Sequence, residues 1–216
     1  MYSINPQRSI HYKLSKHFTK TLLMQNTVFN LNLLQFHFIP ILKKNNLFLD
    51  RDGIINKAII RNKEISSPRS YEEFILYEDL KILNDSLIEN NFNKIVISNQ
   101  PDIERGTIDL ELIKKINQLI YKEINVNSIY ICPHTNDKMC KCRKPNTGLI
   151  EEYFKKYQRL GKNFFIGDTI KDLKCSKTLS IPFILRKTQY NKNLVNCSDF
   201  AIDSLNDLKN IFYNNL

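Results

Sequence analysis

A single α/β domain built on a doubly wound parallel sheet is the fold that this sequence predicts, with helices on both faces. Three observations carry that expectation. From Leu47 onward, short apolar runs alternate with amphipathic stretches, the pattern of strands and helices laid down in turn. The 216 residues suffice for one ordinary core plus an appendage. Each apolar run ends in polar, chemically loaded residues, which in a wound sheet lie at the carboxyl edge where ligands bind.

Five runs read as strands: Leu47 to Asp50, Lys94 to Ser98, Ser128 to Cys132, Asn163 to Gly167 and Pro182 to Leu185. Between them Ile113, Ile116, Ile120 and Ile124 fall on one helical face, as do Ile150, Phe154 and Tyr157. The expected organisation is an extension over residues 1–46, loosely packed, followed by a catalytic domain over 47–216. The extension holds three of the four histidines without metal-ligand spacing. It is acid-free, and Leu14, Phe18 and Leu22 recur at helical spacing, so a targeting peptide is one reading. An accessory helix or a start placed too far upstream are the others.

Composition narrows the class. With 42% hydrophobic and 25% charged residues, the chain is that of a folded globular protein. Of the formal charge of +10, residues 1–46 carry +6, because they hold six Lys and Arg and no acid. The remaining +4 is modest, suits an anionic ligand and makes nucleic acid an unfavoured partner. No stretch has the roughly 18 to 20 apolar residues of a membrane span, and the nearest, Val28 to Leu42, is broken by Asn30, Asn32, Gln35 and His37. Cys132, Cys140 and Cys142 are spaced for a metal cluster, not for a secreted disulfide framework, which points to a reducing cytoplasm. Cys175 and Cys197 read as small buried hydrophobes. A monomer is expected.

Four clusters carry the chemistry. In Leu47-Phe48-Leu49-Asp50-Arg51-Asp52-Gly53 an apolar strand ends in two acids one residue apart, which in extended backbone point the same way. Such a pair can divide labour between attack on phosphorus and proton transfer. Ile95-Val96-Ile97-Ser98-Asn99-Gln100 runs a strand into small polar donors able to hold phosphoryl oxygens, although a plain loop would look alike. Cys132, His134, Cys140 and Cys142 offer three thiolates and an imidazole within eleven residues, a closed structural zinc site if they converge, or buried cysteines near a chance histidine if they do not. Arg143 and Lys144 follow directly, ready to counter phosphate charge. Finally, Phe164 to Asp168 is a strand ending in an acid suited to magnesium, with Asp172 one helical turn on as a further ligand or as a partner of the ligands.

In order and chemistry these clusters resemble the four motifs of the haloacid dehalogenase superfamily of phosphohydrolases. Phe48 to Asn56, Ile97 to Gly106 and Cys132 to Leu149 are similar to the branch that contains histidinol-phosphate phosphatases and heptose 1,7-bisphosphate phosphatases. The resemblance covers residues 46 to about 187 and implies a Rossmann-like domain. It implies Asp50 as nucleophile, Asp52 as general acid and base, Ser98 and Asn99 with Arg143 at the phosphoryl group, and Lys144 as charge stabiliser. Magnesium would be held by Asp50, Asp168 and the backbone carbonyl of Asp52, and structural zinc by Cys132, His134, Cys140 and Cys142.

The implied substrate is a small phosphorylated metabolite, a sugar such as D-glycero-D-manno-heptose 1,7-bisphosphate. Histidinol phosphate, a polynucleotide 3'-phosphate and an inactive zinc-stabilised binding module are the other readings. Two departures fall near the expected substrate: Pro101-Asp102 stands where heptose phosphatases often have Ser-Gly, and only five residues separate His134 from Cys140. From Asp50 to Ser98 is 48 residues and from Ser98 to Lys144 is 46, enough for a strand, a helix and loops but not for a large cap domain. An open site rimmed by Ile54 to Ser67 and by the zinc loop is therefore expected.

Overall fold

In the computed structural model the described residues are 34–37, 43, 45–62, 64–136 and 139–216. Seven strands form one sheet in the order β1-β6-β5-β2-β7-β8-β9, where β1 is Leu34–His37, β2 Asn45–Leu49, β5 Phe92–Asn99, β6 Ser128–Cys132, β7 Asn163–Gly167, β8 Phe183–Arg186 and β9 Phe200–Ile202. All pairings are parallel except that of β1 with β6. The five strands read from the sequence are present.

Strand β1 lies inside the segment expected to be an extension, and it closes the edge of the sheet against β6. The helical spacing of Leu14, Phe18 and Leu22 lies outside the described residues. A hairpin of β3 (Ile59–Arg61) and β4 (Glu64–Ser66) stands apart from the sheet, and among the described residues there is no large cap domain.

Period-two alternation divides the core. Along β2, Leu47 and Leu49 join one buried cluster while Phe48 joins the other, and along β5 Val96 opposes Ile95 and Ile97. Helices α1 (Ser86–Asn91), α2 (Leu110–Ile124) and α5 (Leu208–Asn215) contribute residues to the first cluster, and α3 (Gly148–Tyr157) and α4 (Ile170–Thr178) to the second. Helix α2 begins where the Asp109 carboxylate accepts from the Leu112 N–H at 2.6 Å and ends at left-handed Asn125. Its Ile113, Ile116, Ile120 and Ile124 are fully buried as expected, each adding about 1.5–3 kcal/mol.

The face of α3 differs from the expectation. Leu149, Ile150 and Tyr153 are its buried residues, and Phe154 and Tyr157 are only half-buried against them. Ile150 shares its face with both sets, and the helix turned toward Tyr153 places that ring edge-on to Phe48 and Tyr130. Cys175 is buried, but Cys197 is exposed, contrary to its reading as a buried hydrophobe. It ends the short 3-10 turn Lys192–Cys197, whose buried anchor is Leu194.

The topology positions the site. Strand β2 is central, flanked by β5 on one side and β7 on the other. Chain progress from β2 runs outward through β5 to β6 and then returns across to β7. The carboxyl end of β2 is therefore the point where strand order reverses, and Asp50 is its next residue.

Candidate active site

Three parallel strands deliver acids and a base to one place. Asp50 follows β2, Asp168 follows β7, and Asp172 sits in the first turn of α4. One oxygen from each lies within 4.8 Å of the others, and all three are buried. Lys144 enters from the loop after β6, with Nζ 2.7 Å from Asp50 Oδ1, 2.7 Å from Asp172 Oδ1 and 2.9 Å from the Ile97 carbonyl.

Two glycines permit this crowding. A Cβ on Gly53, at φ +90°, would fall 2.0 Å from Asp168 Oδ2. A Cβ on Gly167 would fall 2.5 Å from that of Asp172.

Burial dominates the electrostatics. It raises the Asp50 carboxyl to about 7, reinforced by the charge of Asp172 and opposed by Lys144. Asp168 is raised well above the usual carboxylate range by burial and then by Asp50 and Asp172. Burial alone would lower Lys144, but Asp172 and Asp50 outweigh it and hold the ammonium charged. The Tyr190 hydroxyl donates to Asp168 Oδ2, and Asn191 Nδ2 donates to the Asp168 carbonyl at 2.8 Å. Asp168 Oδ1, by contrast, is buried with no hydrogen-bond partner. The Asp50 carboxylate and the orphaned Asp168 oxygen, hard oxygen donors buried side by side, fit a divalent cation such as magnesium, while Lys144 offsets the charge of Asp50 and Asp172.

Asp52 points along a different path. Its carboxylate accepts from Arg51 (3.0 Å), Asn56 Nδ2 (2.9 Å), Ser67 Oγ (2.9 Å) and Gln100 Nε2 (2.7 Å), and its side chain stands outside the acidic cluster. Gln100 Nε2 also donates to Ser98 Oγ at 2.8 Å. Asn99 exchanges two 3.0 Å hydrogen bonds with the backbone of Lys144, so its amide fixes the lysine's loop.

The cysteines and histidine expected to converge do so. Cys132 Sγ lies 3.7 Å from Cys140 Sγ and 3.2 Å from Cys142 Sγ, and His134 Nδ1 lies 3.2 Å from Cys142 Sγ. Tetrahedral zinc with bonds of ~2.3 Å would set its sulfurs ~3.8 Å apart, so this cluster fits zinc with small adjustment. The contact between Cys132 and Cys142 lowers the Cys132 thiol and raises that of Cys142, as one sulfur donates to the other. Arg143 leaves this loop with Nε on Asn136 Oδ1 at 2.7 Å and Nη1 on the His134 carbonyl at 3.0 Å.

The four acids, Asn99, Arg143 and Lys144 border one cavity of about 780 Å³, whose walls also carry Arg61, Arg69, Arg105 and Lys171. Sequence reasoning placed the acids, Lys144 and the metal loop, but missed Arg51, Asn56, Ser67, Tyr190 and Asn191. Arg51 and Asn56 lay inside the first motif with nothing to mark them as supports. Tyr190 and Asn191 lie beyond β8 and outside any motif.

Residues 49–203 match the family model described as polynucleotide kinase 3 phosphatase. The chain belongs to this family of phosphatases, within the haloacid dehalogenase superfamily. The phosphatase is 30% identical over 164 residues to a D-glycero-D-manno-heptose-1,7-bisphosphate 7-phosphatase of Chlorobaculum tepidum, covering 68% of this chain and 80% of the relative. It is 33% identical over 136 residues to the D-glycero-beta-D-manno-heptose-1,7-bisphosphate 7-phosphatase of Helicobacter pylori, covering 59% and 74%. In fold the phosphatase is similar to a D,D-heptose 1,7-bisphosphate phosphatase from B. bronchiseptica solved with magnesium and phosphate. The TM-score is 0.68 at 21% identity, over 79% of this chain and 99% of that one.

Proposed function

We propose that the chain removes the 7-phosphate of D-glycero-D-manno-heptose 1,7-bisphosphate through an aspartyl-phosphate on Asp50. The observation that carries this reading is the meeting of Asp50, Asp168, Asp172 and Lys144 at the end of β2, in a chain whose relatives bear that substrate in their names.

In this reading Asp50 Oδ1 is held by the Arg51 N–H at 2.7 Å and by Lys144, which leaves Oδ2 to attack phosphorus. The bond from phosphorus to the sugar oxygen breaks, and Asp52 delivers a proton to that oxygen. Asp52 next takes a proton from water, the water oxygen bonds to phosphorus, and the bond to Asp50 breaks to release phosphate. Arg51, Asn56, Ser67 and Gln100 fix the Asp52 carboxylate for both transfers. Lys144 offsets charge on Asp50, and Asp172 keeps the ammonium in place.

Magnesium, assigned to Asp50, Asp168 and the Asp52 carbonyl, would supply charge neutralisation for the acids and the phosphoryl oxygens. Zinc, assigned to Cys132, His134, Cys140 and Cys142, would fix the loop that carries Arg143 and Lys144. Ser98, read from the sequence as a phosphoryl-binding residue, is 1% exposed and its hydroxyl accepts from Gln100 Nε2 at 2.8 Å, so in this reading it acts by supporting the amide that holds Asp52. We place the enzyme in the cytoplasm, on its free thiols and its sugar-phosphate substrate.

The test is phosphate release, with magnesium, from a panel holding the heptose bisphosphate, histidinol phosphate and a 3'-phosphorylated oligonucleotide. The heptose bisphosphate should give the highest kcat/KM. Preference for either of the others would replace this substrate assignment while leaving the phosphoryl chemistry in place.

A further inference from the structure

The proposed reaction uses one phosphate of its substrate and says nothing about what receives the other. Asp102 is only 2% exposed, although it lies on the turn that follows β5 at the cavity wall. Its Oδ2 accepts from Arg69 Nε at 2.8 Å, and its Oδ1 accepts from Arg69 Nη2 at 3.4 Å and from Arg105 Nη1 at 2.9 Å. The arginine side chains themselves are 41% and 46% exposed, and both line the cavity. One buried carboxylate thus carries two guanidinium groups that reach open solvent.

Without the acid, two guanidinium groups this close would repel and swing apart into water. With it, the trio keeps a net positive charge, and most of the N–H donors of both arginines remain unspent. Paired forks of this kind match a phosphate dianion. The arrangement also joins two walls of the cavity. Arg69 belongs to the loop after the β3–β4 hairpin, and Asp102 lies 33 residues further on. The same turn is tied to the metal loop, where Thr135 donates through N and Oγ1 to Glu104 at 2.6 and 2.8 Å.

We propose that Asp102 is a positioning residue for substrate selection, holding Arg69 and Arg105 together on the cavity wall to receive the phosphate that is not hydrolysed. This rests on the bisphosphate reading above. Arg61 is a poorer candidate for that role, because Glu73, Ser66 and the Ser67 carbonyl already occupy its donors.

Steady-state kinetics of the magnesium-loaded enzyme on the heptose bisphosphate and on p-nitrophenyl phosphate test the proposal. Asp102→Ala should raise KM for the bisphosphate about ten-fold or more, the loss of one charge-assisted contact, with a rise of no more than about two-fold for the monoester. Asp102→Asn, which keeps the shape and one acceptor, should fall between. In an Arg69→Ala, Arg105→Ala background, Asp102→Ala should add no further rise, because the acid acts only through the arginines. Equal rises on both substrates, or a further rise in that background, would show a merely structural acid and overturn the proposal. A wild-type preference for the bisphosphate that survives Asp102→Ala would overturn it while leaving the substrate reading intact. A wild-type enzyme with no such preference would overturn both.

Discussion

Asp172 divides its carboxylate between two tasks: Oδ1 lies 2.7 Å from Lys144 Nζ, and Oδ2 accepts from the Thr169 N–H at 3.1 Å. The second bond forms half of the capping box that starts α4. Asp172 therefore belongs to both the helix and the charge network, and both of its oxygens are engaged by the protein.

Asp172→Ala should cost stability as well as rate. A buried ion pair loses one partner and a helix loses its cap, which together amount to roughly 4–6 kcal/mol. Asp172→Asn should retain most of the cap while weakening the hold on Lys144. Thermal unfolding should rank wild type above Asn and Asn above Ala, with kcat reduced in both variants.

Asp50→Asn should abolish turnover by on the order of 10⁴-fold or more without unfolding the chain. Asp52→Asn should lower kcat by roughly 10²–10⁴-fold. The Asp52 loss should shrink in the first half-reaction when p-nitrophenol, a leaving group that needs no proton, replaces the sugar. Rapid-quench detection of phosphoenzyme would separate the two steps.

Cys140→Ser should lower bound zinc, measured by atomic absorption, and expose residues 133–142 to protease. Because Asn99 grips the backbone of Lys144, the loop should loosen before the lysine is released. Activity should therefore fall less steeply than zinc content.

Asp102 supplies a pH dependence with a definite sign. Burial would raise its carboxyl, but Arg69 and Arg105 overcome that and hold it below its ordinary value. With a folded value below the unfolded one of about 3.9, its contribution is present above pH ~4 and disappears as pH falls through the folded value. The stability difference between wild type and Asp102→Asn should stay flat from pH 8 to 5 and narrow in stronger acid. Urea unfolding across that range would check it.

The sheet and its loaded strand ends were legible because period-two burial and terminal acids are written locally: Phe48 and Asp50 need no distant information to be recognised. The supports were not. Tyr190 reaches Asp168 across 22 residues, and Arg69 reaches Asp102 across 33, so only the closed fold shows the pairing. The β1 edge was missed because a strand of four residues with one open side carries little hydrophobic signal. Asp102 was noticed only as a departure from a family pattern, since the burial of a lone acid cannot be read from its neighbours in sequence.

Gly53 sets the tolerance of the whole arrangement. With 2.0 Å between its missing Cβ and Asp168, the smallest side chain there would wedge the acids apart while the buried strands behind them stayed closed. A Gly53→Ala change is thus the shortest route by which a chain of this design could keep its architecture, retain its thiol-bound loop and fall silent as a catalyst.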